Sequence, residues 1–115
     1  MHELSVALSI LDCAAEESAR RDGARVTAIF LKLGPLSGID RRALESAFEL
    51  AAEQEPQGGP QLVIEEVPLA VFCPTCDDER PVVSLQEFRC SLCGTPTADV
   101  VRGRELEVTA LEIES

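Results

Sequence analysis

The chain has 115 residues, enough for one domain with a hydrophobic core and too few for two of comparable size. Hydrophobic residues make up 45% and charged residues 27%, a globular balance; with four Phe and neither Trp nor Tyr, the core must be aliphatic and stacking platforms for bases or sugars are not expected. Ten basic residues against 21 acidic ones give a net charge of -11, which repels phosphate backbones and anionic lipid, so neither nucleic acid nor membrane is an expected partner.

Residues 4–11 are apolar, but Glu3 precedes them, Asp12 follows, and there is no basic leader or small-residue cleavage site; a secretory signal is not supported. No run approaches the ~20 apolar residues that cross a bilayer, and the expected location is cytoplasmic. Leu4, Leu8, Leu11 and Ala15 recur at helical spacing, widened by Val6, Ile10 and Cys13, with Asp12, Glu16 and Glu17 opposite. This predicts a first helix over 4–21 that ends near Gly23, with Cys13 as a small core residue.

Residues 26–33 are β-branched and aliphatic and predict a first strand, with Thr27, Ile29, Leu31 and Leu33 on one face. Gly34-Pro35-Leu36-Ser37-Gly38 is turn chemistry, and Asp40 can cap a second helix with Leu44, Ala47, Phe48 and Ala51 as its apolar stripe, ending near Glu55. A flexible 56–60 connection leads to a second strand over 62–71, in which Pro68 must lie at an edge or a bulge because it has no N–H to donate. A third strand is expected over 105–114. There Leu106, Val108 and Ala110 share one phase and Leu111 and Ile113 the other, which asks for a bulge or twist.

The strongest chemical signal is a pair of Cys-x-x-Cys knuckles, Cys73-Pro74-Thr75-Cys76 and Cys90-Ser91-Leu92-Cys93, separated by the 13 residues 77–89. Each knuckle can aim two thiolates at one ion, and a hairpin between them would close a four-sulfur shell suited to Zn(II). Residues 72–99 hold few large apolar groups, so the metal would serve as their core, and a closed shell makes it structural rather than catalytic. Two disulfides are the competing reading, against which nothing else suggests an oxidising compartment; a redox pair would leave one knuckle surplus.

His2, the only histidine, stands beside the chain's first amine. The amine, the amide nitrogen of His2 and its imidazole can form fused chelate rings, and the Glu3 amide or carboxylate could complete a square plane, a donor set that suits Ni(II) or Cu(II). With no Ser/His or Cys/His pair beyond His2, no enzymatic chemistry is expected. The leading alternative is a zinc-ribbon interaction or adaptor module without a second metal.

Met1-His2-Glu3-Leu4-Ser5 opening a helix, the 34–38 turn, the two knuckles and Gly103-Arg104-Glu105-Leu106 together resemble the HypA/HybF family of hydrogenase-maturation nickel metallochaperones. The resemblance covers essentially the whole chain; the second knuckle departs from it, reading Cys-Ser-Leu-Cys where Cys-Pro-x-Cys is frequent. It implies Ni(II) held by Met1, His2 and Glu3, Zn(II) held by Cys73, Cys76, Cys90 and Cys93, and an α+β fold. In that fold a three-stranded sheet packs against two helices to form a nickel-binding α/β domain (1–71 and 100–115), interrupted by an inserted zinc-ribbon domain (72–99). The implied partners are a hydrogenase-maturation GTPase and the NiFe-hydrogenase large subunit, in some members also the urease maturation proteins; a homodimer stays open.

Overall fold

The computed structural model describes residues 2–114. Two helices and seven strands follow in the order α1 (Glu3–Arg20), β1 (Val26–Leu33), α2 (Arg41–Ala52), β2 (Gln61–Glu66), β3 (Ala70–Cys73), β4 (Asp78–Ser84), β5 (Glu87–Cys90), β6 (Val100–Arg102) and β7 (Leu106–Ile113). The mixed α+β class is as expected, with two sheets: a three-stranded one ordered β2-β1-β7 and a four-stranded one ordered β5-β4-β3-β6.

β1 pairs parallel with β2, and α2 makes the crossover that a parallel pair requires. β7 then adds antiparallel to the other side of β1. Both helices cover one face of this sheet: Ala7, Ile10, Leu11 and Ala14 of α1 and Leu44, Phe48 and Ala52 of α2 form a single buried cluster with Val26, Ile29 and Leu31 of β1. The expected irregularity in the last strand exists. Phe30 pairs with Ala110 but Leu31 with Val108, so Thr109 is the extra residue, and this shift brings Val108, Leu111 and Ile113 together against the core.

Three expectations are corrected. The buried face of α1 is Ala7, Ile10, Leu11 and Ala14, while Leu4 and Leu8 are 55% and 48% exposed. Ala7 and Ala14, one heptad apart, keep that face shallow enough for α1 to lie close against α2. Cys13 is consequently exposed rather than a core residue. The expected 62–71 strand is two strands in two different sheets. Val67 still donates to the Leu33 carbonyl at 2.9 Å, Pro68 has no donor to continue the ladder, and the chain re-pairs as β3 with β4 and β6.

The two sheets meet where the 34–38 turn touches the return of the chain. Gly34 donates to the Glu105 carbonyl at 2.8 Å and Leu36 to the Gly103 carbonyl at 2.7 Å. A Cβ on Gly34 would lie 2.2 Å from the Gly103 oxygen, so glycine is required there for close backbone approach. Gly103 itself has φ 123 and backs onto Leu69.

Candidate metal sites

Between residues 72 and 99 the only buried residues are Cys73 and Cys90. The interior of the ribbon is therefore its sulfur cluster, as the scarcity of apolar side chains there predicts. β3 ends on Cys73 and β5 on Cys90, so each knuckle is a turn leaving a strand, and the β4–β5 hairpin brings the second knuckle back onto the first. The four Sγ atoms lie within 4.8 Å of one another, with Cys73–Cys93 at 3.5 Å and Cys76–Cys90 at 3.8 Å. A tetrahedron of Zn–S bonds of about 2.3 Å has edges of about 3.8 Å. None of the five cysteines is in a disulfide.

Each knuckle turns a backbone amide onto its own first sulfur: Cys76 N–H to Cys73 Sγ at 3.4 Å and Cys93 N–H to Cys90 Sγ at 3.5 Å. Gly94, at φ 78, closes the second turn with its N–H on the Cys90 carbonyl at 2.9 Å. Two threonines brace the pair of knuckles. Thr95 Oγ1 lies 3.1 Å from Cys93 Sγ and donates to Thr75 Oγ1 at 2.9 Å.

The thiols are driven apart in acidity by this crowding. Hydrogen bonding from the Thr95 hydroxyl and backbone brings Cys93 down to about 6. The Cys90 thiol is lowered too, chiefly by the Cys93 backbone amide. Cys76 is pushed up to about 12 by the Cys93 sulfur first, then by burial and the Cys73 sulfur. Four thiolates within this distance ionise together only around a cation, so the donor set fits a thiophilic divalent metal.

At the other candidate site, Met1 lies outside the described residues. His2 is exposed and occupies the N-cap position of α1 with left-handed backbone angles, φ 68 and ψ 22, and its side chain makes no capping hydrogen bond. Histidine tolerates this region better than most residues, at a cost of order 1–3 kcal/mol for a non-glycine residue. The first bond of the helix ladder runs from Val6 N–H to the His2 carbonyl at 3.0 Å, so the ladder makes no demand on the amides of residues 2 and 3. Glu3 Oε2 accepts the Asp40 N–H at 3.2 Å. Asp40 is the N-cap of α2 as expected, but its own side chain makes no cap, and the Glu3 carboxylate supplies the negative charge at that helix start instead.

Sequence spacing alone singles out the four cysteines whose sulfurs converge here. It misses Thr75 and Thr95, which are 20 residues apart and meet only because the knuckles do, and it misses the Glu3–Asp40 contact, which crosses 37 residues.

No helix among the described residues is long and apolar enough to cross a membrane. The profile of the HypA family, described as hydrogenase/urease nickel incorporation, metallochaperone, matches residues 1–113. The hydrogenase maturation factor HypA of Chloroflexus aggregans is 43% identical over 112 residues, covering 97% of this chain and 98% of that one. The factor of the same name from a Roseiflexus species is 45% identical over 114 residues, covering 99% and 93%. The solution structure of the Ni metallochaperone HypA from Helicobacter pylori shares the fold at TM-score 0.63 and 23% identity over 98% of this chain and 97% of that one. A second HypA solution structure matches at TM-score 0.69, also with 23% identity. The chain thus belongs to the HypA family of nickel-incorporation metallochaperones, whose relatives compared above are hydrogenase maturation factors.

Proposed function

We propose that this protein binds Ni(II) at its N-terminus through Met1, His2 and Glu3 and delivers it to the large subunit of NiFe-hydrogenase, working with a maturation GTPase in the cytoplasm and without catalysis of its own. The observation that carries this reading is an exposed His2, its imidazole not spent on capping, at the start of a chain whose whole length matches the family. Because the α1 ladder starts from the His2 carbonyl, the amide nitrogens of residues 2 and 3 can serve as metal donors without breaking a helical hydrogen bond. Engagement of the Glu3 carboxylate by Asp40 N–H favours the Glu3 amide over its carboxylate as the fourth donor. A nitrogen-rich plane of this kind suits Ni(II), and an exposed position suits hand-over by ligand exchange. Urease is a second client under the same chemistry, since the family description names both enzymes.

Cys73, Cys76, Cys90 and Cys93 are assigned as the ligands of one structural Zn(II), supported by the convergence of their sulfurs and by the lack of any other buried residue in the ribbon. When bound, the ion supplies a cross-link and no open coordination position. The chain is assigned as two working units, 1–71 with 100–115 for nickel and 72–99 for zinc, with β3 and β6 as the double crossing between them. The test is metal loading of His2→Ala and Glu3→Gln. His2→Ala is expected to lose stoichiometric nickel and its planar absorption while keeping zinc and helical content, and Glu3→Gln to retain nickel. Stoichiometric nickel persisting in His2→Ala would reject the assignment of His2 as a nickel ligand.

A further inference from the structure

The three-stranded sheet ends on β7, which pairs on one side only, with β1. Half of its backbone N–H and C=O groups therefore face away from any strand, over eight residues that include neither Pro nor Lys, the usual guards of an edge. Between β7 and α1 lies an apolar groove of about 380 Å³ lined by Val6, Ile10, Leu31, Leu106 and Val108, with Ser9. No residue of α2 or β2 lines it, so it opens at the β7 side of the domain. Leu106 is 38% exposed there. Val6 and Ser9 belong to the first two turns of α1, so the groove borders the helix start that carries His2.

The two faces of β7 select what can pair with that edge. Across the bulge at Thr109, Leu106, Val108, Leu111 and Ile113 keep the phase that faces the helices, while Glu107, Ala110 and Glu112 keep the opposite phase, paired with Lys32, Phe30 and Ala28 of β1. Neither glutamate is in an ion pair among the described residues, and the Glu112 carboxylate accepts the Thr27 hydroxyl at 3.0 Å. A second copy is a poor occupant, because antiparallel self-pairing about the middle of β7 sets Glu107 of each copy opposite Glu112 of the other. An extended segment of alternating apolar and basic residues fits both faces: its apolar side chains enter the groove and its cations meet Glu107 and Glu112. The other edge of the sheet offers no equivalent, since the space between β2 and α2 is bordered by Arg42, Glu45, Glu49 and Glu53.

We propose that the edge of β7 and the adjoining α1 groove form a docking site for an extended, basic protein segment, which adds to the sheet as a fourth strand and seats its owner beside the helix start that carries His2. Main-chain hydrogen bonds along the edge supply the attachment, and the alternation of groove and carboxylates supplies the selectivity. The site goes beyond nickel binding and does not depend on it, so nickel-free protein tests the one without the other.

The test titrates zinc-loaded, nickel-free full-length protein with a blocked octapeptide of alternating valine and lysine, followed by backbone amide shifts and by amide exchange along β7. The parent is expected to bind this peptide with slowed exchange on β7. It is expected to bind the serine–lysine and valine–glutamate peptides at least about 10-fold more weakly, the first for want of a buried side chain and the second for its charge. S9F, which fills the groove from an exposed position of α1, and the pair E107K/E112K, which reverses the charge at exposed positions of β7, are each expected to weaken binding of the valine–lysine peptide by about 10-fold. The control pair E49K/E53K, also exposed but at the end of α2, makes the same change in net charge and is expected to stay within about twofold of the parent. Circular dichroism checks that each variant is folded. Absence of binding, or binding without slowed exchange on β7, overturns the proposal. So does S9F binding like the parent. Equal weakening by E49K/E53K and E107K/E112K overturns it too, because the acidic chain would then be attracting any cationic peptide through net charge alone.

Discussion

Gly34→Ala tests the junction between the two sheets. The added methyl would stand 2.2 Å from the Gly103 oxygen, 2.3 Å from its carbonyl carbon and 2.9 Å from the Arg104 nitrogen, all backbone atoms with no rotamer to escape into. Ordinary contact needs about 3.5 Å, so the two segments must part by about 1 Å. That separation lengthens both bonds that hold the turn, Gly34 N–H to Glu105 and Leu36 N–H to Gly103. At about 0.5–1.5 kcal/mol net for each bond, the expected loss is about 1–3 kcal/mol. In a domain of this size it lowers the melting temperature by about 4–12 °C. Urea and thermal unfolding of the zinc-loaded protein, followed by circular dichroism, gives the stability, and amide exchange at Leu36 reports the junction locally. A variant within 0.5 kcal/mol of the parent, with Leu36 protection unchanged, would refute the idea that this backbone contact is a required part of the fold.

Two further outcomes follow from the positions of the thiols. Cys13→Ser should change stability by less than about 0.5 kcal/mol and leave zinc content unaltered, because the side chain is exposed on α1; a loss above about 2 kcal/mol in urea would restore it to the core. In zinc-stripped protein that keeps the strand pairing of the ribbon, checked by circular dichroism, Cys93 should alkylate with a midpoint near the value of about 6 that Thr95 gives it, and Cys76 should be the slowest, near about 12. The sign follows from linkage: a thiol depressed in the folded state adds stability above its ordinary value and loses that contribution as pH falls through about 6. Thr95→Val should therefore raise the Cys93 midpoint, read residue by residue by mass spectrometry of alkylated peptides. An unmoved midpoint removes Thr95 from the site.

Much of this architecture is written locally. β1 is dense in β-branched and aliphatic residues and forms where its pattern says, Val26–Leu33. The knuckles are recognisable because four cysteines at fixed spacing have few other uses. What the pattern leaves open is rotation and partnership. The apolar sector of α1 is wider than the arc it buries, so periodicity fixes the helix but not whether Leu8 or Ala7 faces inward; packing against α2 settles it. Residues 62–71 look like one strand because apolar residues continue on both sides of Pro68, and the exchange of sheets becomes evident only from the strands available for pairing. The surroundings of the metal sites are least legible of all. Thr75 and Thr95 carry no motif, and Glu3 meets Asp40 only after both helices have docked.

The most direct measurement is a nickel titration of untagged protein against the same protein acetylated at its terminal amine, both with His2 intact and zinc bound. A chelate shared between that amine and the imidazole predicts one nickel per chain with planar absorption in the free form and loss of both on acetylation. Equal stoichiometry and an identical spectrum in the acetylated protein would contradict it and place the nickel elsewhere.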